Sequence, residues 1–180
     1  MLRRLLVFTD AVDSLTEQVG QWLKWLVLFS SLISAFNALM RYTIHYSSNA
    51  WLEIQWYMFG AMFLLGAGYA LKYDEHVRVD VLFSKMTPRQ QAWLDVFGGI
   101  FFLMPMAVII GWLSIPMVIN SFRIWEHSND PGGLLRWPIK IVIPIGFALL
   151  AIQGIAEIVK KYAIATGVRE PGKAYERPVQ

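Results

Sequence analysis

A charge-free apolar run from Ile54 to Leu71 restricts the fold of this chain more than any other feature. The run opens beside Glu53, which lies among aromatic residues in the stretch WLEIQWY, and it ends at a dense polar cluster that begins with Lys72. An α-helix crosses the hydrocarbon core of a bilayer with about 17 to 25 mainly apolar residues. We therefore predict a membrane-spanning helix over residues 51–71.

The composition is that of a membrane protein and excludes several other classes. The 180 residues are 56 % hydrophobic and 16 % charged, whereas charged residues make up about 25 % of a typical soluble domain. The chain has no cysteine, which excludes disulfides, thiolate metal sites and cysteine nucleophiles. The net charge is +3, but the basic residues lie beside the apolar runs rather than in one basic stripe. We therefore expect them to meet membrane lipids and not nucleic acid.

Further apolar segments complete an all-α integral membrane protein with four transmembrane helices, over residues 21–42, 51–71, 92–119 and 138–162. Small polar side chains recur on one side of the first span, which is typical of a face that packs against another helix: Ser30, Ser31, Ser34 and Asn37. We predict one four-helix membrane domain over residues 1–165 and a flexible cytoplasmic tail over 166–180.

The third span carries clear start and kink signals. Thr87 is the predicted N-cap, Pro88 the first helical residue and Gln90 the partner of a capping box. Pro105 and Pro116 lie inside the same apolar run and predict a kinked helix.

Two segments outside the spans are amphipathic. Residues 1–20 repeat apolar side chains at steps of three and four, which predicts an N-terminal interfacial helix with the apolar face Leu5, Phe8, Val12, Leu15 and Val19. Residues 72–90 mix charged and apolar side chains and predict a second surface helix, although the alternation in VRVDV is equally typical of a strand. Helix is favoured, because a lone strand at the interface leaves its backbone unpaired.

The distribution of lysine and arginine predicts the orientation. Four spans place both termini on one side, and that side holds twelve of the sixteen basic residues. Basic residues concentrate in cytoplasmic segments of membrane proteins. We therefore predict a multi-pass protein of the bacterial inner membrane with both termini in the cytoplasm.

The spans contain little that could perform chemistry. Asp, Glu, Lys, Arg and His are absent from the middle of every predicted span, although ion pathways and proton relays normally use such residues. A self-sufficient exporter and an enzyme are therefore disfavoured. The histidines that could ligate haem lie in loops or at membrane edges: His45, His76 and His127. The cluster after the second span is more typical of a solvated face than of a metal site: Asp74, Glu75, His76 and Asp80.

Several short motifs occur in order along nearly the whole chain. They are Arg41-Tyr42, the span opening Trp51-x-Glu53, the apolar run with Gly66, the corner His76-Val77-Arg78-Val79-Asp80, and GLLRWP with the later Gln153-Gly154. Together with the four predicted spans, this pattern resembles the small membrane subunit of tripartite ATP-independent periplasmic (TRAP) transporters, the DctQ-like family.

The resemblance implies a scaffold role. Subunits of that family pair with a large membrane subunit that holds the substrate and sodium sites, and a periplasmic substrate-binding protein delivers an organic acid. We therefore expect no cofactor in this chain and expect sodium at the large subunit during sodium-driven uptake.

The candidate residues at the first external loop are Arg41, Tyr42, Trp51 and Glu53. Arg41 and Glu53 flank this loop and are expected to pair with one another, to bind the large subunit, or to serve as interface anchors. Trp51 is expected to belong to the aromatic belt at the membrane surface.

Two further candidate sets lie at opposite sides of the membrane. His76, Arg78 and Asp80 are expected to fix the turn into the surface segment or to contact the partner subunit. On the other side, the loop over residues 120–137 is the expected docking site for the periplasmic protein, with exposed charges at Arg123, Glu126 and Asp130.

One alternative function from another class stays open. The chain could be the membrane anchor subunit of a redox complex, and haem absorption by the purified protein would distinguish that function from a scaffold role.

Overall fold

A computed structural model describes the backbone of residues 2–74 and 86–170, and the side chains of the same ranges from residue 5 onward. Within these ranges four helices are long and apolar enough to cross a membrane. They are α1 (Leu2–Thr43), α2 (Asn49–Lys72), α3 (Pro88–Arg123) and α4 (Trp137–Ala165). The prediction of an all-α protein with four transmembrane helices is confirmed.

The helix starts follow local sequence signals. Ser48 is the N-cap of α2, and its side chain accepts a hydrogen bond from the Ala50 amide. At the start of α3, Thr87 and Gln90 form a reciprocal capping box and Pro88 is the first helical residue. The predicted start of the third span is therefore confirmed.

The N-terminal segment corrects one prediction. Residues 1–20 were predicted to form a separate interfacial helix, but from Leu2 onward this segment continues without a break into the first span as part of α1. Gly20 lies inside the helix, where a Cβ atom would be only 2.2 Å from the Tyr69 ring. This glycine therefore permits close packing of α1 on α2 and does not end a helix.

The irregularity predicted for the third span takes the form of a π-helical segment. Residues Gly99–Leu103 are π-helical, between the α-helical parts Pro88–Gly98 and Met104–Arg123. Pro105 follows after one intervening residue, Met104, and has no amide hydrogen to donate to the preceding turn. At Pro116 the chain continues as α-helix.

α4 is the central helix of the bundle. It packs against α1, α2 and α3, whereas α1 also packs on α2 and α3 is attached through α4. Glycines allow the closest approaches: a Cβ atom at Gly146 would lie 2.8 Å from the Leu64 carbonyl oxygen, and one at Gly99 would lie 2.6 Å from Ile158. We call the two ends of the bundle the terminal end, where α1 begins and α4 ends, and the loop end, where α3 is joined to α4.

Two predicted segments lie largely or wholly outside the described ranges. The surface segment between the second and third spans falls mainly on residues 75–85, and most of the predicted tail falls on residues 171–180. The helix or strand alternative for the former stays a prediction.

Candidate functional site

A buried carboxylate organises the loop end. Glu53 lies in the first turns of α2 and is only 3 % exposed. Its Oε2 accepts a hydrogen bond from the Leu134 amide at 2.6 Å, and its Oε1 accepts one from the Ser128 hydroxyl. Because a buried carboxylate is costly unless hydrogen-bonded, these two donors tie the α3–α4 loop to the start of α2.

Other contacts attach the same loop along its length. The Tyr57 hydroxyl donates to the Leu135 carbonyl at 3.0 Å, and the Asn49 side chain donates to the Pro131 carbonyl at 3.0 Å. The two arms of the loop also pair with one another through the Ser128 amide and the Leu134 carbonyl, at 2.9 Å. We call residues 124–136, held on α2 in this way, the docked loop.

The glycine pair in SNDPGG is required by this geometry. Gly132 has φ of +72°, a conformation that side chains with a Cβ rarely adopt. At Gly133 a Cβ atom would lie 2.4 Å from the Ser128 Cβ and 2.9 Å from the Glu53 carboxylate. The breaker in the sequence is therefore the place where the loop folds close to Glu53.

Charged side chains brace the docked loop, Lys140 from α4 and Arg136 from the end of the loop itself. Glu126 forms an ion pair with Lys140, and the Arg136 guanidinium donates to the Ser128 hydroxyl at 3.2 Å. The hydrogen bond from Lys140 is the largest influence that lowers the pKa of Glu126. The Glu126 carboxylate is therefore paired with a residue of this chain.

The candidate residues of the first external loop are separated by the fold. Glu53 accepts its hydrogen bonds from the Leu134 amide and the Ser128 hydroxyl of the docked loop, and not from Arg41. Of the alternatives for Arg41 and Glu53, mutual pairing is therefore not the one formed, whereas contact with the large subunit and anchoring at the interface stay predictions. Arg41 and Tyr42 are exposed at the end of α1, with Tyr42 83 % exposed. Trp51 packs edge-on against Phe36, with ring centroids 5.7 Å apart.

The structure describes only some of the remaining candidate residues. Arg123 and Asp130 are exposed at the loop end, near the docked loop or within it. His76, Arg78 and Asp80 lie outside the described residues, so their predicted roles stay predictions.

The terminal end contains a polar cluster that the sequence did not lead us to expect. Gln153 of α4 is fully buried; its amide donates to Asp13 at 2.8 Å and to Glu157 at 3.0 Å, and its carbonyl accepts from Thr16 at 2.6 Å. Lys160 then bridges the two carboxylates, at 2.9 Å from Asp13 and 2.5 Å from Glu157. These contacts join α1 to α4.

Three more ion pairs extend this cluster to the other helices. Lys72 of α2 binds Glu17 of α1 at 2.7 Å, and Lys161 of α4 binds Asp74 at 2.9 Å and Asp95 of α3 at 3.1 Å. One signal in the sequence could have predicted these pairs: acidic residues at the start of α1 and basic residues at the end of α4 have complementary charge. The prediction of an interfacial helix over residues 1–20 gave these acids no partner within the chain.

Within the described ranges, no group of three or more His, Cys, Asp or Glu side chains is arranged to hold a metal ion. The two polar clusters contain ion pairs and hydrogen bonds that cross between helices. Such an arrangement suits the bracing of a bundle rather than the transformation of a substrate.

Fold and polar clusters together define a class: a multi-pass, all-helical membrane protein whose helices, in the part that the structure describes, are joined to one another by ion pairs and hydrogen bonds. Comparison with known families makes the assignment specific. Residues 30–163 match the model of the family "Tripartite ATP-independent periplasmic transporters, DctQ component", so this chain belongs to the DctQ family.

A curated relative agrees with this family. The chain is 28 % identical over 130 residues to a protein of Haemophilus influenzae named "Putative TRAP transporter small permease protein", and the match covers 71 % of this chain and 80 % of the relative. A comparison with solved structures finds no significant match. The chain is therefore a TRAP transporter small subunit, a transporter component of the inner membrane and not an enzyme.

Proposed function

We propose that this chain is the scaffold that braces the large membrane subunit of a TRAP transporter during uptake. In this proposal the large subunit holds the substrate and sodium sites, and a periplasmic binding protein delivers an organic acid to it. The proposal is carried by one observation: polar clusters at both ends of the bundle link helices of this chain to one another. Such links suit a rigid support, whereas a carrier needs polar groups near the middle of the membrane.

The proposed orientation places the terminal end in the cytoplasm. Twelve of the sixteen basic residues lie on the side of the two termini, in agreement with the rule that basic residues concentrate in the cytoplasm. The loop end would then face the periplasm. A single cysteine in the docked loop should react with a membrane-impermeant thiol reagent in intact cells, and a cysteine at the terminal end should not.

We assign docking of the periplasmic protein to the docked loop and its exposed charges. Arg123 and Asp130 are available to a partner, whereas Glu126 is engaged by Lys140. The many hydrogen bonds that hold the loop favour this role, because a preorganised surface loses less conformational entropy when it binds. Arg41 and Tyr42, exposed at the end of α1, are assigned to contact with the large subunit.

The experiment that tests the scaffold role uses the large subunit and the binding protein from the same genome. The tagged chain is expressed with both, purified, and reconstituted for sodium-dependent uptake of candidate organic acids. Co-purification of the large subunit, together with uptake that collapses when this chain is omitted, is expected. Uptake that persists without this chain, or a chain that purifies alone and carries haem absorption, would refute the scaffold role.

Docking is tested separately with charge reversals. Arg123→Glu and Asp130→Lys should each weaken capture of the binding protein by roughly a few fold, because charges at the rim of an interface contribute modestly and mainly to association. Glu170→Lys is the matched control, since Glu170 is an exposed carboxylate at the terminal end. Equal capture by all the variants would remove the docked loop from the docking surface.

A further inference from the structure

A groove runs along α4 between α2 and α3. Both of these helices pack on α4, but neither packs closely on the other. Two hollows lie end to end in the gap between them, one of about 210 Å³ and, nearer the terminal end, one of about 250 Å³. Their floor extends along α4 from Gly146 to Lys161, which is about 22 Å at about 1.5 Å per residue. We call the two hollows together the α2–α3 groove.

Glycine and a buried floor make this groove concave. Gly146, Leu150 and Gly154 of α4 lie in the floor and are buried, whereas the outward faces of the helices are exposed. At Gly154 a Cβ atom would lie 3.0 Å from Leu103, so this glycine lets Leu103 lie low between the two hollows. Gly98 lines the hollow at the terminal end, and the space that its Cβ would occupy is open. The groove therefore differs in shape from the convex surface that ordinarily faces lipid.

The polarity of the lining changes along the groove. The hollow farther from the terminal end is lined by apolar side chains and glycine. The hollow at the terminal end is apolar at Leu71 and Ile158 but has charged side chains as well: Asp74, Asp95, Glu157 and Lys161. Carboxylates thus outnumber amines in its described lining. An elongated site that is apolar at one end and charged at the other complements an amphiphile whose polar head lies at the terminal end.

The size of the groove selects a hydrocarbon chain over a helix. An α-helix with its side chains is about 10–12 Å across, so a stretch 22 Å long fills roughly 1,700–2,500 Å³. The two hollows provide about 210 and 250 Å³. A single acyl chain is far thinner than a helix and can follow such a path. Left empty, the groove would lose dispersion contacts along its whole apolar lining.

We propose that the α2–α3 groove binds one acyl chain of a phospholipid whose headgroup carries an amine. The headgroup lies at the terminal end, where its ammonium meets the carboxylates and its phosphate meets Lys161. An anionic headgroup without an amine is disfavoured there, because like charges repel. The bound chain fills the gap between α2 and α3, which are otherwise joined mainly through α4, and so stiffens the bundle. This inference is independent of the proposed scaffold role.

Matched substitutions test occupancy. Ala67→Leu and Gly98→Leu each place a bulky side chain in one of the two hollows, and Ala35→Leu adds the same bulk on the exposed side of α1. Phospholipid retained by the purified full chain through detergent washing is counted by native mass spectrometry. The unaltered chain and Ala35→Leu should each retain one phospholipid. The two groove variants should retain it about tenfold less, because extra methylenes overpack a filled site. Equal retention by all four proteins, or no retained lipid in any, would overturn the proposal.

Two further measurements identify the lipid and its place. In nanodiscs of equal parts phosphatidylethanolamine and phosphatidylglycerol, the retained lipid should be mainly phosphatidylethanolamine, and a preference for phosphatidylglycerol would overturn the proposal. A phosphatidylethanolamine with a photoreactive acyl chain should form adducts at groove residues of α2 and α3. Adducts spread evenly over the exposed helix faces would mean surrounding lipid only and would overturn it. Loss of the groove adducts when the large subunit is added would do so too, since a helix of that subunit would then occupy the groove.

Discussion

Removal of the Glu53 carboxylate is the sharpest test of how the loop end is built. In Glu53→Ala, the Leu134 amide loses its acceptor at 2.6 Å, and the Ser128 hydroxyl loses the carboxylate to which it donates. Glu53 is only 3 % exposed, so water does not readily replace the carboxylate. A hydrogen bond to a charged group contributes about 1.5–3 kcal/mol, so the two together hold the docked loop by about 3–6 kcal/mol. Since each 1.4 kcal/mol is about tenfold in an equilibrium constant, the undocked population should rise by about two to four orders of magnitude.

Amide hydrogen exchange measures this opening. The Ser128 amide donates to the Leu134 carbonyl at 2.9 Å and the Arg136 amide to the Glu126 carbonyl at 2.8 Å, so neither loses its own acceptor in the variant. Both bonds lie within the docked loop, so faster exchange at these two amides reports that the loop itself opens, which we expect once the Glu53 carboxylate no longer holds it on α2. The matched control is Glu170→Ala, which removes an exposed carboxylate from the other end of the bundle.

Exchange at Ser128 and Arg136 that stays within about threefold of the unaltered chain would refute the reasoning, because it would mean that the loop keeps its folded form without the carboxylate. Glu53→Gln adds a graded test. It keeps one carbonyl acceptor but lacks the charge, so its effect should lie between those of the unaltered chain and Glu53→Ala.

Three further predictions concern packing and charge elsewhere. Gln153→Leu should lower the free energy of unfolding by about 2–4 kcal/mol, because it leaves buried charged groups without their amide partner. Gln18→Leu, at an exposed glutamine, should have little effect. Denaturant unfolding in detergent compares the two variants. Gly146→Ala should cost about 1–3 kcal/mol through overpacking against the α2 backbone, and Gly98→Ala, with open space around it, should not destabilise by clash. Glu126 has a pKa lowered by its lysine partner, so its stabilising contribution should be present above the ordinary glutamate pKa and disappear as the pH falls through the lower folded value.

Each of these three predictions has an outcome that contradicts it. Equal midpoints for the two glutamine variants would mean that the buried amide is dispensable to the terminal-end cluster. Equal stability of Gly146→Ala and Gly98→Ala would mean that α2 and α4 can separate slightly at no cost. For the acid effect, the difference in thermal midpoint between the unaltered chain and Glu126→Gln should shrink at low pH; a difference independent of pH would exclude the ion pair as its source.

The sequence by itself determined the class of this protein and the number of its helices. A charge-free run such as Ile54–Leu71 can lie stably in a bilayer only with its backbone hydrogen bonds satisfied internally, so length and apolarity are enough to predict a helix. The capping box at Thr87 is likewise a local device, and local devices are legible in sequence. The family motifs are local strings as well, which is why the resemblance to the DctQ family was visible before the fold.

Only the tertiary structure decided which polar groups meet. Glu53 lies closer in sequence to Arg41 than to Leu134, yet it binds the latter, because the antiparallel and parallel packing of the helices brings a remote loop over the start of α2. Asp13, in the segment predicted to lie at the membrane surface, binds Gln153 and Lys160 for the same reason. A helical period shows that residues share a face, but the neighbour of that face depends on how whole helices pack, and that information is not local.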